Sequence, residues 1–143
     1  MFLNALNIAG SGLTAQRLRM DVISQNIANQ DTTAAAGGTP YQRKTVVFSE
    51  RTQQTFDNYL AGASGQGPGG VQVDAIQSDT SDFKLSYDPT NPNAGADGYV
   101  RLPNVDTVTE MTDLMESSRS YSADVTAFNA LKGMTTTSLD IGK

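Results

Sequence analysis

The sequence predicts an α+β fold: a long helix at each end, the two pairing as a coiled-coil or bundle domain, with a small antiparallel β insert between them. Three observations predict it. Apolar residues recur at alternating steps of four and three near both termini, the spacing of one helix face. The centre instead alternates apolar and polar residues with period two. Turn-forming stretches, "AAAGGTP", "AGASGQGPGG" and "DPTNPNAGADG", separate these regimes. The expected division is 1–33 for the N-terminal helix, 34–103 for the β-rich and loop insert, and 104–143 for the C-terminal helix.

The first helix is read from Phe2, Leu6, Ala9, Leu13, Met20, Ile23 and Ile27, with Gln16 interrupting one seam position. Leu3 and Val22 widen the stripe. "GSG" at residues 10–12 either weakens the helix, by about 1 kcal/mol per Gly relative to Ala, or lets another helix approach closely. Its end, "SQNIANQDTT", crowds four side-chain amides beside an apolar seam. Asn26 and Asn29 are three apart and share a face. Two readings stand. The amides end the helix, because Asn tolerates the turn that follows. Alternatively they set its register, because an unpaired buried amide costs about 1–3 kcal/mol.

In the middle, "YQRKTVVF" (41–48), "VQVDAI" (71–76), "FKLSY" (83–87) and "YVRL" (99–102) read as short strands, enough for a small antiparallel sheet. The last helix follows Pro103–Asn104, with Asp106, Glu110 and Asp113 in its first turns, where the helix dipole favours acids. Met111, Leu114, Ser118, Tyr121, Val125, Phe128 and Leu131 form its stripe, Met115 lies beside it, and Gly142 reads as the stop. Neither stripe is covered by its own helix, so the two arms are expected to pack together and on other copies. The expected assembly interface is Leu6, Leu13, Met20, Ile23, Asn26, Ile27, Asn29, Met111, Leu114, Met115, Tyr121, Val125, Phe128 and Leu131.

Composition excludes most chemistry. The chain has 143 residues, 10 Lys and Arg against 15 Asp and Glu, and a net charge of −5. That balance disfavours nucleic acid and anionic membrane. No apolar run is long enough to span a bilayer. The absence of Cys removes disulfides and thiolate chemistry, and the absence of His removes the usual general base and metal ligand. "GQGPGG" lacks the Gly-Lys-Ser/Thr of a phosphate loop, and "DPTNPNAGADG" does not fit a calcium-binding loop. Glu50, Asp57, Asp74 and Asp79 are the carboxylates a glycoside hydrolase would draw on, but nothing marks a pocket around them. No catalytic residue, metal or cofactor is expected.

"SGLTAQRLRMDVISQNIANQDTT", with its "NIAN" and following Thr pair, closely resembles the N-terminal signature of bacterial flagellar rod and hook proteins. "PYQRKTVVF", "YDPTNPNAGADGYVRLPNV" and "EMTDLMESSRSYSADVTAFNALKGMTTTSLDIGK" resemble the short proximal rod subunits among them. Ser117 and Asp124 stand where that family more often has Ala and Asn. The resemblance implies a structural subunit that assembles with copies of itself into a helical, hollow shaft transmitting torque around an export channel. It implies other rod proteins, the rod–MS-ring adaptor and the flagellar type III export apparatus as partners. It also implies a rod crossing the periplasm, reached without a cleaved signal, whereas the N-terminal residues alone point to the cytoplasm. Another short rod or adaptor subunit, or a coiled-coil binding module linked to export, is the alternative.

Overall fold

The computed structural model describes residues 2–33, 38–51 and 69–141. Its order is α1 (Phe2–Ala28), β1 (Lys44–Glu50), β2 (Val71–Ser78), β3 (Lys84–Tyr87), β4 (Tyr99–Leu102) and α2 (Thr107–Ile141). At 1.5 Å per residue, α1 is about 40 Å long and α2 about 52 Å. The α+β architecture is as the spacing predicts, and all four strands form within a few residues of their expected bounds. Gly142 and most of "AGASGQGPGG" lie outside the described residues.

The helices pack side by side and antiparallel. Asn26 meets Glu110, and Gly12 meets Asp124, equal steps along both chains. A Cβ on Gly12 would sit 3.2 Å from an Asp124 carboxylate oxygen, so the Asp124 side chain lies directly over this glycine. Gly10 has open space around it.

The strands form two separate antiparallel ribbons, β1–β2 and β3–β4, rather than one sheet. A two-stranded ribbon is marginal alone, and β1–β2 is held by packing across α1. Ser11 on α1 is one anchor: its hydroxyl donates to the Ile8 carbonyl at 2.7 Å and accepts the Val71 N–H at 3.0 Å. Gly70, at φ +92°, lies so close to Ser11 that any Cβ would collide with it. The β1–β2 register shifts between Val47 and Phe48, leaving Asp74 unpaired in a bulge.

This packing corrects the expected stripes. On α1 the residues buried most fully are Ala15, Val22, Ile23 and Asn26, while Leu6, Leu13, Met20 and Ile27 are only half-buried. The helix has two covered faces, one toward α2 and one toward the β1–β2 ribbon. The single stripe from Phe2 missed the second, which carries Ile8, Ala15 and Leu18.

On α2 the covered face runs Glu110, Leu114, Ser117, Tyr121, Asp124, Phe128, Leu131 and Thr135. It has the expected four-three rhythm but takes Glu110 in place of Met111 and Ser117 in place of Ser118, and it adds Asp124 beside Val125, which is half-buried as expected. Met111, Met115 and Ser118 are exposed. Glu110 and Ser117 are tolerated inside because both are bonded, Ser117 back to the Asp113 carbonyl at 2.8 Å. Burial concentrates toward the end of α1 and the start of α2: Val22, Ile23 and Asn26 on one side and Val100, Pro103, Val105 and Glu110 on the other are all buried.

Candidate functional site

The amides of "SQNIANQDTT" divide the two roles between them. Asn29 works locally. Its side-chain amide donates to the Gln25 carbonyl at 2.8 Å, and its Oδ1 accepts the Thr32 hydroxyl at 3.3 Å, closing the last turn of α1. Asn26 works at long range and is fully buried. Its Nδ2 donates to the Lys44 carbonyl at 2.8 Å and to Glu110 Oε2 at 2.9 Å. Its Oδ1 accepts the Lys44 N–H and the Tyr41 hydroxyl, each at 2.9 Å. One amide therefore uses its whole donor and acceptor capacity to tie α1 to the first residue of β1 and the first turns of α2.

Glu110 is the second centre, also fully buried. Arg43 Nε donates to its Oε1 at 2.5 Å, while Arg43 Nη2 reaches Asp113 at 3.2 Å and Nη1 lies 3.9 Å from Asp79. A buried carboxylate is costly unless paired and hydrogen-bonded, and here Asn26 and Arg43 supply both oxygens with donors. Burial, and then the charge of Glu110, pushes the Tyr41 hydroxyl up from its ordinary value of 10.0. Tyr41 thus stays protonated and donates to Asn26.

Asn104 completes the arrangement on the insert side. Its Oδ1 accepts the Arg43 N–H at 2.8 Å, and its Nδ2 donates to the Asp79 carbonyl at 3.0 Å and the Ser81 hydroxyl at 2.9 Å. Gln30 accepts the Thr107 hydroxyl beside it. The knot joins α1, the two ribbons and α2. Of the weighed carboxylates, Asp79 is engaged here, Glu50 and Asp74 sit exposed on the β1–β2 ribbon, and Asp57 lies outside the described residues.

Asp106 starts α2 by accepting the Val108 and Thr109 N–H groups at 3.0 and 3.1 Å. The Thr109 N–H above all holds its carboxyl below the ordinary 3.8, and the N–H and hydroxyl of Ser81 do the same for Asp79. A lowered folded value means stability that is present above the unfolded value and lost as pH falls through the folded one. The thermal midpoint is therefore expected to drop as pH falls from about 5 to below the ordinary 3.8. Asp106→Asn, which keeps the cap but not the charge, should make that drop shallower; an unchanged drop would show that this carboxylate does not carry it.

Sequence reasoning named Asn26 and Asn29 but not Arg43, Tyr41, Asn104 or the burial of Glu110. A lone Arg at the start of a β-branched strand, and an acid on the seam rhythm of the last helix, were the available signals.

Residues 6–35 match the family described as flagella basal body rod protein, and residues 96–141 the family described as flagellar basal body rod FlgEFG protein C-terminal. The two matched segments are the two helices with their flanks, and the Asn26–Glu110 bond joins them. Among curated relatives, the chain is 49% identical to the flagellar basal-body rod protein FlgC of Bacillus subtilis, over 98% of this chain and 97% of the relative. It is 42% identical to that of Borreliella burgdorferi, over 96% and 95%. Against the Salmonella typhimurium protein the identity is 41%, over 99% and 98%.

Proposed function

The chain belongs to the FlgC family of flagellar basal-body rod proteins, a structural rod subunit, and from this premise we propose that it builds the rod through its paired helices. The observation that carries the proposal is the near-complete coverage of relatives so named, with both rod-family segments folded into one antiparallel pair. The subunit assembles with other rod components. In finer terms, copies stack with helical symmetry into a hollow shaft in the periplasm. They contact neighbouring rod proteins and the rod–MS-ring adaptor, and they arrive through the flagellar type III export apparatus without a cleaved signal. The relatives' names describe a structural part, and the chain acts without catalysis or cofactor.

Physical argument supports this reading. A shaft under torque needs many contacts, because each alone is weak, and apolar burial contributes about 25 cal/mol per Å². Contacts between different patches of one chain, when they do not close, give a helical tube rather than a ring. An α2 of 35 residues offers length for such contacts.

Val125→Asp and Phe128→Asp test the role of the helix pair. Both residues are half-buried on α2, and an unpaired charge there is costly. Each variant should be expressed yet missing from isolated basal bodies, with motility lost. Normal motility in both would remove the seam from the assembly.

A further inference from the structure

We infer that residues 133–138 are a hinge in α2, at which the last turns of the helix swing independently of the α1–α2 pair. The hinge is a property of the chain itself, and its use in assembly rests on the rod reading.

Three features fall on this one stretch. The first is composition. "GMTTTS" sets a glycine and three successive threonines inside a helix. Gly is the poorest helix former after Pro, and Thr loses side-chain freedom against the preceding turn. Gly133 has open space around it and no left-handed φ, so neither packing nor a turn calls for it.

The second is hydrogen bonding. Four consecutive hydroxyls fold back on the preceding turn. Thr135 donates to the Leu131 carbonyl and Ser138 to the Met134 carbonyl, each at 2.8 Å. Thr136 and Thr137 both donate to the Gly133 carbonyl, at 2.8 and 3.0 Å. A helix assigns that same carbonyl to the Thr137 N–H, so three donors compete for one acceptor. Hydroxyls bonded in this way weaken and bend helices. Earlier in α2 such bonds come singly, from Thr112, Ser117, Ser122 and Thr126, each to its own carbonyl.

The third is support. Continuing the equal steps from Gly12 and Asp124 brings Phe2, the first residue of α1, level with Met134. α1 therefore runs out alongside the weak stretch. Thr135 is the last half-buried residue, and residues 136–140 are all exposed. Met134 and Leu139 stay 58% and 67% exposed, so these apolar side chains add little packing to offset the weak backbone. A helix softened where its partner ends is held on one side of residue 133 and free on the other. For a subunit joining an open assembly, such a tail lets the helix pair seat first and the last turns adjust to the neighbours already there.

Spin labels read the hinge in the purified full chain, which has no Cys of its own. Labels at Ala123→Cys and Leu139→Cys span the hinge. Met111→Cys and Ala127→Cys span the same length, about 24 Å, within the stretch that α1 backs. All four positions are exposed. The distance distribution across the hinge should be roughly twice as broad as that of the control pair. Gly133→Ala, Thr136→Ala and Thr137→Ala together should narrow it to the control width. Equal widths in the unaltered chain, or no narrowing, would overturn the hinge. In cells where it is the sole copy, the stiffened chain should keep at least the wild-type unfolding midpoint yet fall about tenfold in isolated basal bodies. The same chain carrying Thr136→Gly instead of Thr136→Ala should recover most of that loss. Normal incorporation of the stiffened chain, or no recovery with Thr136→Gly, would overturn the use of the hinge in assembly while the rod reading stands. A wild-type chain missing from basal bodies would overturn the rod reading and leave the spin-label result untouched.

Discussion

Asn26→Ala is expected to lower the unfolding midpoint of the purified monomer by about 10 °C, corresponding to about 3 kcal/mol. The substitution creates only a small cavity; the cost lies in the partners left behind. The Lys44 N–H and carbonyl, the Tyr41 hydroxyl and Glu110 Oε2 all lose their bond to this side chain at once. An orphaned buried group costs about 1–3 kcal/mol, and water reaching the half-buried members recovers part of it. Seen from spacing alone, this change should be mild. The structure makes it severe, because the amide is saturated and has no solvent exposure. Asn26→Asp should be no better: it keeps the acceptor but loses both donor bonds and sets a second carboxylate against Glu110. A shift below about 2 °C for Asn26→Ala would mean that the knot rearranges freely and does not set the helix pair.

How much of this was readable in advance follows from the range of each interaction. Helix and strand periods are local, so α1, α2 and the four strands were legible from windows of about ten residues. The polar knot is not local. Asn26 meets Tyr41 and Lys44 across 15 and 18 residues and Glu110 across 84, and Arg43 meets Glu110 and Asp113 across 67 and 70. The seam of α2 misled for a related reason. A search for apolar residues steps over Glu110, Ser117 and Asp124, since an acid on a helix face is usually solvated. Only a partner supplied by the fold, Arg43 for Glu110, makes the inward position affordable. The separation of the insert into two ribbons was equally hidden, because a strand's period does not say which neighbour it pairs with.

That same one-residue shift of the seam separates folding from assembly and yields the second large effect. Val108, Met111 and Met115 fall three and four residues apart on one face of α2, and each is at least half exposed. Two methionines and a valine held in water at the well-packed end of the helix pair form the kind of patch that marks an interaction surface. They take no part in the α1 contact, so charging them should leave the monomer intact. The Met111→Asp, Met115→Asp double variant should keep the wild-type unfolding midpoint and circular dichroism, yet be absent from basal bodies and leave cells non-motile. Phe128→Asp should lose both, because Phe128 lies on the face that α1 covers. The contrast carries the argument: stability and incorporation fall together on the covered face and separate on the exposed one. Motile cells with Met111→Asp, Met115→Asp rods would place the assembly surface elsewhere on the chain. A monomer that unfolds with the double variant would mean that this face is needed for the fold itself.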